Sequence, residues 1–254
     1  MTRACAKGFP PVPKAKIKSQ PRPEPSPALR AKAMEVYERL VKLHGAVPLV
    51  SRREPMHELI STMLSHRTNG RNEDLAYARM WERFGSWEAI RDAPVEELAE
   101  ALTPANFSGA KAANIQATLR RIIEARGEAS IDFLRDLPTE EAMSWLVALP
   151  GVGVKTATLT LLFCFHKTVM PVDTHLHRVD GRIGLIGPKD SAEVAHDILL
   201  SLLPDDAYVL FNFHIANLRH GQKICVWGTP RCEQCPLTDI CDWYQENREP
   251  HGKN

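Results

Sequence analysis

Four of the chain's six cysteines are crowded near its C-terminal end in "CVWGTPRCEQCPLTDICDW", where Cys225, Cys232, Cys235 and Cys241 are spaced C-x6-C-x2-C-x5-C. So dense a set of thiols dictates the local fold, because the backbone between them must turn to whatever the sulfurs hold. A disulfide staple, a zinc ion or an iron–sulfur cluster would each serve. The first residues carry no apolar segment of the secretory type, so a reducing, intracellular compartment is expected, and that argues against disulfides. Metal or cluster ligation is then the leading account. The other two cysteines, Cys5 and Cys164, belong to no motif, and Cys164, on an apolar helix, is expected to be a buried free thiol.

At 254 residues, 44% hydrophobic and 25% charged, the chain can bury a sizeable core as one large or two moderate domains. No apolar run approaches the ~18 residues a membrane helix needs, so no membrane association is expected. The net charge of +1 conceals an asymmetry: residues 1–27 hold six basic residues against one acid, a formal +5, leaving −4 on the remainder. With seven of the nineteen prolines in the same stretch, residues 1–27 are expected to be a disordered basic arm suited to a polyanion. The rest is not basic overall and would bind nucleic acid only through a local patch.

From Leu29 onward the grammar is helical. Leu29, Ala33, Val36, Leu40 and Leu43 share one face, and Gly45 is a natural stop. "PMHELISTMLSHRT", "PVEELAEAL", "KAANIQATLRRIIEARG", "EEAMSWLVAL", "KTATLTLLFCF" and "SAEVAHDILLSLL" continue it, with Gly127 as a second stop and Ser191 as an N-cap. Only "KTVMPVD" alternates like a strand. The expectation is an all-α protein of about ten helices with short loops.

Two stretches carry chemistry. In "LVALPGVGVKTATLTLL" one helix ends near Leu149 and another begins near Val154. Gly151, Val152 and Gly153 between them let a ligand approach the backbone, and the following helix N-terminus adds positive potential, a combination suited to a DNA phosphate. Lys155 lies in that helix's first turn, where a cation is electrostatically disfavoured; a neutral amine there is a nucleophile. Eighteen residues on, Asp173 in "VMPVDTHLHRV" is placed to cap a helix and to stabilise developing positive charge or move a proton.

"LPGVGVKTA", then "VDTH", then C-x6-C-x2-C-x5-C resembles the endonuclease III family of helix-hairpin-helix DNA glycosylases, and the resemblance runs from about Leu29 to Tyr244. It implies a two-lobed all-α fold: a six-helix barrel over residues 48–167, and an iron–sulfur domain from 28–47 plus 168–254, with DNA bound across the cleft. It implies a [4Fe–4S] cluster on Cys225, Cys232, Cys235 and Cys241, Lys155 as Schiff-base nucleophile and Asp173 as catalytic carboxylate. The partner would be double-stranded DNA with damaged bases or abasic sites. The activity would be a base-excision glycosylase with abasic-site lyase chemistry, removing oxidised pyrimidines, in a monomer.

Two loops depart from the family pattern. Members often read "LSAQ-T-D" where this chain has "LSHRTNGRNE", residues 64–73, which puts His66 and Arg67 where a glutamine would fill the space left by a flipped base. A wedge leucine is commonly found where "NFSGAKAANI" places Phe107. His175, two residues past Asp173, is a further candidate DNA contact. A monofunctional mismatch glycosylase and a weakly active DNA-damage-binding protein are the alternatives; Lys155 speaks against the first, and Lys155 with Asp173 against the second.

Overall fold

The computed structural model describes residues 24–247; Cys5 and most of the expected basic arm lie outside them. Within them the chain is all-helical. In order come α1 (Pro27–His44), α2 (Pro55–Ser65), α3 (Gly70–Phe84), α4 (Trp87–Asp92), α5 (Val95–Ala101), α6 (Ser108–Arg126), α7 (Thr139–Val147) and α8 (Val154–Phe165). After these follow α9 (Thr174–Ile183), α10 (Ala192–Leu202), α11 (Ala207–Lys223) and α12 (Asp242–Asn247), with 3-10 turns at Asp132–Arg135 and Cys232–Gln234. Ser26 caps α1, accepting from the Leu29 amide, so order begins inside the stretch assigned to the arm. Glycines and serines punctuate as their chemistry requires: Gly45 and Gly127 close α1 and α6 at positive φ, and the Ser191 hydroxyl caps α10.

Residues 52–160 form one compact unit, and residues 24–51 with 161–247 form the other. In the first, α6 packs against α4 and α5, and α2 against α3 and α6. Leu59, Ile60, Leu64, Met80, Ile90, Leu98, Ile115, Leu119 and Ile122 are fully buried there, each side chain contributing about 1.5–3 kcal/mol by leaving water. Gln116 is one of the polar residues buried in this unit; its amide donates to the carbonyls of Ile90 and Ala93 and satisfies the end of α4. In the second unit α11 lies between α1 and α9, burying Ala33, Val36, Leu40, Leu176, Val179 and Phe213. Asn212 ties the chain after α1 to this helix, exchanging hydrogen bonds with both backbone groups of Val47.

"KTVMPVD" is not a strand. Val169, Met170, Pro171 and Val172 are buried but form no regular element and pair with no strand among the described residues. Instead His196 Nδ1 donates to Met170 O at 2.5 Å and His214 Nδ1 to Pro171 O at 3.1 Å. Imidazoles take the place of a sheet ladder, which is why an alternating pattern misleads here. The loop expected over residues 64–73 is also shorter, because Asn69 caps α3 and Gly70 already belongs to it.

Candidate active site

In the first unit the turn between α7 and α8 is built against α6. Thr118 Oγ1 donates to Pro150 O at 2.6 Å. Gly151 has φ +73°, and a Cβ there would come within 2.8 Å of the Asn114 Cβ, so both its dihedral and the proximity of α6 require glycine. Gly151 and Gly153 are exposed. Val152 is not: its side chain is buried and its amide donates to Leu149 O at 3.2 Å. That bond holds the turn together, and the flanking glycines present accessible backbone beside it. Lys155 is the second residue of α8 and is half-buried.

His66, just past α2, has its Nε2 3.2 Å from Thr156 Oγ1, one residue beyond Lys155. Burial lowers its pKa, helped by the positive charges of Lys155 and Lys111, so the ring is neutral near pH 7. Its neighbour Arg67 has φ +51°, and Phe107, ahead of α6, has φ +59°. Neither is a glycine, and the left-handed conformation costs about 1–2 kcal/mol for each. The Arg67 guanidinium carbon lies 5.9 Å from the Phe107 ring centroid, and Phe107 is 62% exposed. So exposed a ring does not staple the start of α6.

These loops are locked from beneath. Lys111, in the first turns of α6, is buried, and its ammonium donates to Leu64 O at 2.6 Å, His66 O at 2.8 Å and Thr68 Oγ1 at 2.8 Å. Asn106 Nδ2 donates to Arg67 O, and the Asn106 amide to Thr68 Oγ1. Nothing in the local sequence singles out Lys111; only packing reveals its partners.

In the second unit Asp173 caps α9, its Oδ1 accepting from the amides of His175 and Leu176, each at 2.8 Å. The buried run 169–172 fixes the backbone entering the cap. His175 is half-buried and its Nδ1 accepts from Arg178 Nη2 at 3.2 Å. Arg178 in turn donates through Nε to Cys225 O and through Nη2 to Gly221 O, and its guanidinium carbon sits 4.9 Å from the Trp227 ring centroid. Asp180, farther along α9, is fully buried, and neither carboxylate oxygen finds a hydrogen-bond partner among the described residues. Burial and the nearby Asp173 charge push its pKa well above the ordinary carboxylate range.

Cys225, Cys232, Cys235 and Cys241 line a single small pocket of about 20 Å³, together with Arg182, Ile224, Trp243 and Tyr244. All four thiols are free. Among the described residues, no three His, Cys, Asp or Glu side chains converge as ligands of one ion; the thiols surround the pocket instead. Arg182 Nη1 is 3.3 Å from Cys225 Sγ, and His220 Nε2 is 3.5 Å from Cys235 Sγ. Burial raises the pKa of Cys232 and Cys241, and that of Cys235 to about 11. Chemically, a set of four cysteines of this kind suits a zinc ion or an iron–sulfur cluster. The only basic residue in the loop from Cys225 to Cys232, Arg231, donates to Lys223 O at the end of α11, while Trp227 in the same loop is 68% exposed.

Comparison with known proteins places this arrangement. Residues 60–205 match the model of the HhH-GPD superfamily of base excision DNA repair proteins. Endonuclease III of Thermotoga maritima is 29% identical over 222 residues, covering 87% of this chain and 96% of that protein. Endonuclease III of Rickettsia conorii is 32% identical over 186 residues, covering 73% of this chain and 83% of its own. The solved structure of a trapped endonuclease III–DNA covalent intermediate superposes with a TM-score of 0.74 at 24% identity, covering 85% of this chain and 97% of that one, a likeness of fold.

Proposed function

This chain belongs to the HhH-GPD superfamily of base excision DNA repair proteins, and on that premise we propose that it is a bifunctional DNA glycosylase and abasic-site lyase acting on oxidised pyrimidines in duplex DNA. The observation that carries the reading is Lys155. It is half-buried at the head of α8, directly after the exposed glycines of the turn, and among the described residues its ammonium enters no ion pair. An amine held at a phosphate-binding turn is placed to attack the deoxyribose rather than to neutralise a carboxylate. The exposed backbone of Gly151 and Gly153 would take the DNA phosphate.

In this reading the damaged nucleotide leaves the stack, and Lys155 Nζ attacks C1′ as the base departs with the bonding electrons. The C1′–O4′ bond then breaks, O4′ taking a proton, and the C1′=Nζ imine that results acidifies the 2′ hydrogen; its removal expels the 3′ phosphate by β-elimination and nicks the strand. Asp173 stabilises the cationic sugar and assists the proton transfers. Its capping bonds use Oδ1 and hold the carboxylate rigid. Arg67, Phe107, His66 and His175 are the DNA contacts. Cys225, Cys232, Cys235 and Cys241 would hold a [4Fe–4S] cluster, which when bound would supply a rigid anchor for the surrounding chain and take no part in the excision. The enzyme acts as an intracellular monomer.

Borohydride trapping on duplexes with one thymine glycol or one abasic site tests this. Wild type is expected to give a covalent adduct and Lys155→Ala none. An adduct that survives Lys155→Ala would assign the nucleophile elsewhere. Base release with no adduct for wild type would mean a monofunctional glycosylase, and neither release nor adduct a binding protein.

A further inference from the structure

The proposed function leaves Lys111 unused, yet it is a buried cation placed where helix electrostatics oppose it. It lies in the first turns of α6, at the positive end of that helix. Its ammonium reaches instead to the end of α2, where the carbonyls of Leu64 and His66 are orphaned by helix geometry and carry negative potential. Its third bond goes to Thr68 Oγ1, which also accepts from the Asn106 amide and donates to His66 O. The Thr68 hydroxyl is therefore fully used, and it joins the loop after α2 to the loop before α6. Asn106 adds a second tie through Arg67 O.

What these ties carry is a pair of strained, exposed side chains, Arg67 and Phe107, with the guanidinium beside the ring. Left-handed backbone at a non-glycine residue persists only where the surroundings over-determine it. Here the surroundings are one ammonium, one hydroxyl and one carboxamide. We propose that Lys111 is a positioning residue: through Thr68 and Asn106 it locks the two loops into one two-pronged tip, Arg67 plus Phe107, which enters the duplex as a unit when a nucleotide is extruded. A planar cation and an aromatic ring side by side offer two stacking surfaces, and a fixed spacing between them is what a flexible pair would lack. The inference rests on the glycosylase reading for its substrate, but not on the chemistry at Lys155.

The test uses the full chain and a duplex with 2-aminopurine opposite an uncleavable abasic analogue, whose emission rises on unstacking. Wild type is expected to raise the emission. Lys111→Met and Thr68→Val should each increase the protein concentration for half-maximal emission by about tenfold, as small misplacements of contact groups do. Thr68→Ser, which keeps the hydroxyl, should behave as wild type. Phe107→Ala should lose about tenfold alone but under about twofold in the Lys111→Met background, because coupled residues are not additive. If Lys111→Met fails to fold by circular dichroism, the Thr68→Val and Thr68→Ser pair decides. Equal behaviour of those two, a wild-type response in folded Lys111→Met, losses that multiply, or no emission rise with wild type would each overturn the lock. Borohydride trapping run in parallel separates the two ideas: a missing adduct counts against the lyase and leaves the emission result to judge the tip.

Discussion

Single residues decide whether the turn and the cap can form at all. Gly151 combines a left-handed φ with a packing distance that leaves no room for a methyl group. Gly151→Ala should therefore cost about 1–2 kcal/mol in backbone strain, more where Asn114 cannot move aside, measured as a shift of the urea midpoint. Asn114→Gly in the same chain should recover the packing part and leave the strain. Asp173 separates folding from chemistry. Asp173→Asn keeps an oxygen to accept the His175 and Leu176 amides, so thermal stability should change little while trapping and base release collapse. Asp173→Ala loses the cap as well and should cost about 1 kcal/mol. If Asn also unfolds the protein, the capping account of that carboxylate is wrong.

Whole elements carry the electrostatics. Along α9 the first carboxylate, Asp173, faces solvent in part, and the second, Asp180, is fully buried without a donor. Burial and the Asp173 charge favour the protonated Asp180 carboxyl in the fold, whereas the unfolded chain releases that proton near pH ~3.9. Its pKa is thus raised on folding: the stability it permits is fully present below the unfolded value and is lost as pH rises from there through the folded value. Asp180→Asn should remove this decline. The variant's melting temperature, relative to wild type, should climb between pH 4 and pH 8; a difference that does not vary with pH would show that the carboxyl is ionised in the fold. The same helix shows why polar spacing alone misleads, since the sequence puts Asp180 on α9 but tertiary packing makes it buried.

At the scale of the molecule, the chain folds as two units with separate cores, and the cysteine pocket belongs to the unit of residues 24–51 and 161–247. Cluster ligation would hold α9, α11 and α12 through one centre, because Arg182 contacts Cys225 and α12 follows Cys241 directly. Cys235→Ser should abolish the visible absorbance of the purified protein and accelerate amide exchange across α9, α11 and α12, with α2 to α6 still protected. Uniform loss of protection would mean that the units do not unfold separately. The two-unit organisation also explains why motif order was informative. Lys155 and its glycine turn sit in one unit, Asp173 and the cysteines in the other, so each motif is complete within a short local segment.

Residue order by itself determined everything that depends on near neighbours. Hydrophobic period placed α1, α6 and α10, glycine placed the stops at Gly45 and Gly127, and a serine placed the cap at Ser191. Motif spacing put Lys155 at a helix start, made Asp173 an N-cap, and its four closely spaced thiols share one pocket. These features are set by covalent adjacency and by backbone hydrogen bonds spanning three or four residues. Tertiary structure decided the rest. It turned Val152 inward, gave the Met170 and Pro171 carbonyls to two histidines instead of a strand, buried Asp180 and joined Lys111 to a loop more than forty residues earlier. Burial and distant hydrogen-bond partners come from which helix faces pack together, and no local run of residues encodes that choice.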